Sequence, residues 1–122
     1  MKSEQTYTFD EVIRVEVPNG LPGTKTALKQ VEFALASVRA RGGHLVKLVH
    51  DEGLGAARVR LRSEIRRMLR VYKKEERIFL MIRGEDFSMS DNLTRYLADR
   101  CPQVELDPDM DRGNENITLV YF

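Results

Sequence analysis

The alternation of apolar and polar residues along the chain predicts four strands and suggests a fifth. Residues 12–17 read V-I-R-V-E-V, with apolar side chains at every second position, as in a strand that has one solvent-facing side. Residues 45–49 and 117–122 are also predicted strands, and the unbroken apolar segment 78–82 is typical of a strand covered on both faces. Residues 104–106 are a candidate short edge strand.

Three segments between these strands have the three- and four-residue apolar spacing of amphipathic helices. The first helix is predicted over residues 24–41, with a glycine pair after its end. The second covers residues 56–72. The third is capped by Ser90 or Asp91 and ends before Pro102.

The predicted order is therefore β-α-β-α-β-α-β. This order indicates an α/β fold in which helices pack on a mixed β-sheet in two or three layers. Right-handed crossovers make the first three strands parallel. We expect a single domain over residues 1–122, because neither a linker nor an internal repeat is visible, with residues 1–10 as a candidate disordered segment.

Length and composition are those of an ordinary globular domain, with 122 residues, 42% of them hydrophobic and 32% charged. The single cysteine, Cys101, excludes a disulfide framework and a cysteine-based zinc site, and it fits a reducing cytosol. The longest apolar run, residues 78–82, is far shorter than the ~20 residues of a membrane helix. We therefore expect a cytoplasmic protein that does not cross a membrane.

The net charge of +1 hides a strong asymmetry along the chain. Residues 1–54 carry seven basic and seven acidic side chains, residues 55–84 carry ten and three, and residues 85–122 carry three and nine. The basic middle indicates either an anionic partner such as DNA or RNA, or internal neutralisation by the acidic C-terminal third. Both interpretations stay open.

The carboxyl ends of the first three predicted strands bring polar residues to one edge of the sheet. The second helix begins there, behind a loop whose glycines expose backbone N–H groups that favour an anion such as phosphate. Arginines recur every four residues along this helix and add positive charge. The residues predicted to bind nucleic-acid phosphates are Gly53, Gly55, Arg58, Arg62, Arg66 and Arg70. The alternative interpretations are turn-forming glycines and a solvent-facing arginine stripe.

The same edge offers groups for metal-dependent cleavage. His50 is a candidate general base or phosphate ligand, or an ordinary strand-end residue, and Glu16 is a candidate second catalytic residue. Asp51 and Asp86 are candidate ligands for Mg²⁺ or Mn²⁺, since hard cations prefer carboxylate oxygens. Paired acids on loops are also common in the absence of any metal.

Residues 50–69 read H-D-E-G-L-G-A-A-R-V-R-L-R-S-E-I-R-R-M-L. This segment resembles the signature of Smr (small MutS-related) domains, in which H-G-x-G-x-G-A-L-R joins a strand to a helix. Residues 15–28 fall where this family has L-D-L-H-G-L and its first helix, and residues 113–122 resemble its closing glycine-rich turn and last strand. Asp51 replaces the glycine that follows the motif's histidine, and the family's first histidine falls near Asn19.

The resemblance implies an Smr-like fold, nucleic-acid binding and, as in several family members, metal-dependent nicking of DNA or cleavage of RNA. Asn19 cannot act as a base, and Asp51 places negative charge where a phosphate would approach, so binding is the primary hypothesis. The alternatives are a weak metal-dependent endonuclease at the same edge and a protein-interaction domain whose acidic residues 105–115 cover the basic helix.

Overall fold

The computed structural model describes residues 8–17 and 23–122, which form four strands and three α-helices. The strands are β1 (Glu11–Arg14), β2 (Leu45–Val49), β3 (Leu80–Arg83) and β4 (Ile117–Tyr121). The helices are α1 (Gly23–Ala40), α2 (Ala56–Lys74) and α3 (Asn92–Arg100). The prediction of a mixed α/β fold is confirmed. Residues 1–7 and the predicted turn around Asn19 lie outside the described residues.

The four strands form one mixed sheet in the order β1-β2-β4-β3. β1 pairs with β2 in parallel, and β4 is antiparallel to both β2 and β3. The first three strands therefore run in the same direction, as expected, but the last strand lies between β2 and β3. Because of this insertion, the start of β4 separates the carboxyl ends of β2 and β3.

The sheet has a hydrophobic core on each face, so the fold has three layers. Along β2, Val46 and Leu48 point to the core beneath α1 and α2, whereas Leu45 points to the core beneath α3. This alternation follows from the two-residue period of a strand. In the part of the chain that the structure describes, no helix combines the length and apolar character that a membrane span requires.

Residues 104–106, predicted as a short edge strand, belong instead to a 3₁₀ segment, Pro102–Leu106. The backbone N–H of Asp107 donates to the Val104 carbonyl oxygen over 3.1 Å, which is the three-residue spacing of a 3₁₀ turn. Pro102 has no backbone N–H to donate to a neighbouring strand. Its fixed φ suits the start of a helix. A segment of three residues is too short for its apolar pattern to distinguish the two-residue period of a strand from the three-residue period of a 3₁₀ helix.

The beginning of the described chain is fixed to β2. Phe9 is buried, and the Asp10 carboxylate accepts hydrogen bonds from the backbone N–H groups of His44 and Leu45, at 2.7 and 2.8 Å. Residues 8–10 of the candidate disordered segment are therefore ordered by packing and hydrogen bonds.

Candidate functional site

The backbone conformation of the loop between β2 and α2 favours glycine at two positions. Gly53 and Gly55 have φ angles of 86° and 53°, in the left-handed region that favours glycine. Gly55 is the N-cap of α2, no described side chain caps the helix, and its first turn contains no acidic residue. The glycines are thus required by the shape of the loop, which leaves the positive end of the helix dipole without a side-chain partner of its own.

Arg66, one of the predicted phosphate-binding residues, lies in the interior and is only 5% exposed. Its guanidinium forms a bidentate ion pair with Glu85, with N···O distances of 2.8 and 3.0 Å. It also donates to the Thr118 hydroxyl over 2.9 Å and to the Ile117 carbonyl oxygen over 3.0 Å. The structure therefore corrects this assignment, because Arg66 uses its donors on the chain's own groups.

A close approach between two chain segments places Glu85 beside Arg66. Gly84 follows β3, and a side-chain carbon there would lie 1.8 Å from the Asn114 carbonyl oxygen. Only glycine allows this distance, which brings the turn after β3 against the segment that enters β4. Burial raises the pKa of Glu85, but the hydrogen bonds from Arg66 and the backbone, together with the charges of Arg66 and Arg83, lower it overall, so the carboxylate is ionised at neutral pH.

His50 belongs to the same buried network. Its imidazole has no exposed surface, and Nε2 lies 2.8 Å from the Thr118 hydroxyl, which also accepts from Arg66. Burial and the positive charge of Arg66 lower the pKa of His50 to about 4, so the ring is neutral at pH 7. Its Nδ1 has no hydrogen-bond partner among the described residues. A general base must reach its substrate's proton, whereas this ring faces the interior.

The predicted acidic ligands are each bound by an arginine, and they lie on different sides of β4. Asp51 accepts two hydrogen bonds from Arg14, at 2.8 and 3.0 Å, and Asp86 accepts from Arg83 over 2.8 Å. Asp51 follows β2 and Asp86 follows β3, so the start of β4 stands between them. Glu16 is exposed beyond β1. Within residues 8–17 and 23–122, no three His, Cys, Asp or Glu side chains form a group that could hold a metal ion. These residues do not fit the predicted Mg²⁺ or Mn²⁺ site.

The other three predicted arginines differ in how accessible they are. The Arg62 side chain is 18% exposed and lies 3.5 Å from the Glu115 carboxylate. Arg58 is half-buried and Arg70 is exposed, and neither makes a salt bridge with any residue that the structure describes. The predicted stripe is therefore not one solvent-facing row, because a four-residue step advances about 40° beyond a full turn and its four arginines point in different directions around the helix.

A second basic stripe, different from the predicted one, faces solvent along α2. Its members are Arg60, Arg67, Arg70 and Lys74, all exposed. The first, second and last are seven residues apart, which is close to two helical turns per step. The apolar positions Leu61, Ile65, Leu69 and Tyr72 mark the buried side of the helix. Reading the face opposite these positions would have identified the stripe from the sequence. We call these four residues the outer basic face.

The outer basic face is almost free of acids. Glu64 is the only acidic residue of α2, and it pairs with Arg67 over 3.0 Å. Arg60, Arg70, Lys73 and Lys74 make no salt bridge within the described ranges. Five of the eight basic residues of α2, these four and Arg58, are thus left unneutralised by described acids.

The acidic segment 105–115 binds mainly on the opposite side of the sheet from α2. Asp107 and Asp109 bind the Lys47 ammonium at 2.8 and 2.6 Å. Lys47 alternates with Val46 and Leu48 along β2, so it points away from α2 and towards the α3 layer. Among the described acids of residues 105–115, only Glu115 pairs with α2, at Arg62. The segment does not cover the outer basic face.

Comparisons with known protein families, with curated proteins and with solved structures give no match to this chain. The resemblance to Smr domains accordingly stays a sequence-based prediction, and the site is interpreted from its own geometry.

Proposed function

We propose that this protein binds nucleic acid through phosphate contacts made by the outer basic face of α2. The observation that carries the proposal is the cluster of cations on this face, which meets one acid and leaves Arg60, Arg70 and Lys74 without a described ion-pair partner. Phosphate backbones present closely spaced charges, and a row of cations on a helix releases their condensed counterions.

The geometry of the cations supports a backbone contact rather than base recognition. Arg60, Arg67 and Lys74 recur about every two turns, or roughly 10 Å at 1.5 Å per residue. Such a row can follow one strand of a polyanion over several phosphates. The Arg58 side chain and the uncapped start of α2 extend the positive surface at the glycine loop. The motif resemblance of residues 50–69 to Smr domains is a separate, sequence-based reason for the same proposal.

Cleavage has less support than binding. His50 is buried and neutral, and Asp51 and Asp86 are each paired with an arginine on different sides of β4. A metal-dependent endonuclease would need these groups to meet at one exposed point. The masked-scaffold alternative has little support either, because Asp107 and Asp109 engage Lys47 on the other side of the sheet.

The test is the affinity of the full chain for fluorescein-labelled oligonucleotides, measured by anisotropy between 50 and 200 mM salt. With about four phosphates neutralised, the slope of log K against log salt is expected near −4 for duplex and −3 for single strands. Arg60→Ala with Arg70→Ala removes two cations without loss of helix propensity. We expect this double variant to weaken binding at 100 mM salt by about 10- to 100-fold.

The matched control removes two exposed arginines that do not lie on α2, Arg95→Ala with Arg112→Ala, so that the net charge falls equally. We expect this control to change affinity less than threefold. Equal losses in both double variants would mean that net charge alone, and not the outer basic face, determines binding. A slope near zero for the unaltered chain would contradict the proposal altogether.

A further inference from the structure

An exposed aromatic ring lies beside the C-terminal end of α2. Phe79, between α2 and β3, is 53% exposed. Its ring stacks on Tyr96, with centroids 5.7 Å apart and planes 30° apart, and meets Tyr121 edge-on at 6.1 Å. Because two neighbouring rings hold it, Phe79 presents an aromatic surface of fixed orientation to solvent.

Phe79 separates two open grooves, and Lys73 lines both of them. One groove, of about 490 Å³, is also lined by Arg39 and Arg77 and contains one acid, Glu76. The other, of about 380 Å³, is also lined by Leu80 of β3 and by Leu93 and Tyr96 of α3. Both volumes fall within the range of roughly 300–1,000 Å³ that small-ligand clefts occupy. Each groove has room for a planar ring next to Phe79.

The basic surface of α2 is continuous with this ring. Lys73 and Lys74 form the last turn of α2, and Arg70 precedes them by one turn. Arg39 and Lys73 make no salt bridge with a described residue, whereas Arg77 lies 3.5 Å from Glu75 and 3.9 Å from Glu32. A polyanion that follows the outer basic face therefore reaches Lys73, which lines both grooves, and the arginines of the larger groove beside Phe79.

Resting on the proposed function, we propose that the ligand is a single-stranded nucleic acid, one base of which stacks on Phe79 while its phosphates contact Lys73 and the outer basic face. Unpaired bases expose the π-faces that an aromatic side chain can stack on, whereas a duplex covers them. Proteins that bind single strands without reading their sequence combine a basic groove, which follows the backbone, with aromatic rings on which the bases stack.

The charges around Phe79 favour this ligand over a protein partner. A protein that covered the ring would also cover Arg39 and Lys73, which make no salt bridge with a described residue, and two cations are costly to desolvate without matching acids. A single strand brings one phosphate with each base and satisfies the ring and the cations together. Single-stranded DNA and RNA share this chemistry, so the experiment includes both.

The test compares Phe79→Ala with the unaltered full chain, using a deoxyribonucleotide oligomer, a ribonucleotide oligomer of the same sequence, and the DNA duplex. Stacking on one aromatic side chain is worth about 5- to 100-fold in affinity. We expect that loss for one or both single strands and less than a twofold change for the duplex. The salt slope stays unchanged, because no cation is removed. A loss for one single strand alone also supports the proposal and identifies the polymer.

Two further variants make the result specific. Phe79→Tyr keeps an aromatic face and is expected to bind single strands within twofold of the unaltered chain. Phe33→Ala removes a ring on α1 that is 75% exposed and lines neither groove, and it is expected to have no effect. Thermal unfolding of each variant checks that the fold is retained. If Phe79→Ala fails to fold, Phe79→Leu replaces it, with the same expected loss.

The outcomes separate this proposal from the one on which it rests. Unchanged single-strand affinity in Phe79→Ala, with weaker binding in Arg60→Ala with Arg70→Ala, overturns the stacking proposal and leaves nucleic-acid binding in place. Equal losses for single strands and duplex also overturn it. A dimer that Phe79→Ala dissociates, with binding unaffected, would make the ring an interface between copies. No effect of either variant on binding would overturn both proposals.

Discussion

The two sides of α2 use the same residue type in opposite ways. On the inner side, Arg66 is almost fully buried and bonds Glu85 and Thr118, and Arg62 lies near Glu115. On the outer side, Arg60 and Arg70 are exposed and have no salt bridge among the described residues. The inner arginines join distant parts of the chain, whereas the outer ones are available to a partner.

This difference shows that a count of basic residues overstates the charge that a surface offers. Eight bases and one acid in α2 indicate a strongly positive helix, yet Arg62 and Arg66 are matched by acids from elsewhere in the chain. Burying a guanidinium is tolerated only with such partners. The surface that remains is defined by the residues opposite the apolar stripe.

The largest expected effect is the loss of the Arg66 network. Arg66→Ala leaves the Glu85 carboxylate and the Thr118 hydroxyl without their donor, and breaking a buried pair in this way costs about 3–5 kcal/mol. Arg70→Ala on the outer side should change the free energy of unfolding by less than about 0.5 kcal/mol. Urea unfolding of the two variants and the unaltered chain measures both values. A difference below about 1 kcal/mol between the two variants would contradict the comparison.

The next effect is a loss of stability in mild acid, due to His50. Its pKa is about 4 in the folded chain and near 6.5 in the unfolded one, so the unfolded state binds more protons between these values. Stability is therefore full above about pH 6.5 and decreases as the pH falls, by about 3 kcal/mol in all.

Unfolding measured at pH 7 and at pH 4.5 tests this expectation, because carboxylates with lowered pKa values, such as Glu85, stabilise the fold above their ordinary pKa of 4.5 and lose most of that stabilisation only as the pH falls below it. His50→Gln removes the titrating group and should lose much less stability between the two pH values than the unaltered chain. The same loss in both proteins would assign the acid sensitivity to other groups.

The smallest effect is expected at Arg62. Its 3.5 Å contact with a Glu115 side chain that is 57% exposed is a weak, solvent-screened ion pair. Arg62→Ala should therefore cost less than about 1 kcal/mol in the free energy of unfolding. A cost as large as that of Arg66→Ala would mean that Arg62 belongs to the buried network.

Much of the fold could be predicted from local patterns. The alternation in β2 and the apolar stripes of α1 and α2 gave the element order and the mixed α/β class, because these periods reflect burial directly. The position of β4 between β2 and β3 could not be predicted in this way. It depends on which strands pair over long distances in the chain, and no local pattern records that choice.

The candidate site was predicted only in part. The basic character of α2 is visible in the sequence, but the fates of Arg62 and Arg66 depend on Glu115 and Glu85, which are distant in the chain. The burial of His50 likewise depends on a residue distant in the chain. Its imidazole contacts Thr118 of β4, the strand that lies between β2 and β3. The outer basic face can be predicted from the sequence, because helix geometry places it opposite the apolar positions Leu61, Ile65 and Leu69.

The central claim is that the outer arginines of α2, and not the inner ones, bind nucleic acid. The most direct test is the salt dependence of single-strand binding for the unaltered chain, for Arg60→Ala with Arg70→Ala, and for Arg62→Ala. Each lost phosphate contact reduces the magnitude of the single-strand salt slope by about 0.7. We predict a reduction of about 1.4 in the outer double variant, which loses two contacts, and none in Arg62→Ala. An unchanged slope in the outer variant, or an equal reduction in Arg62→Ala, would contradict the account.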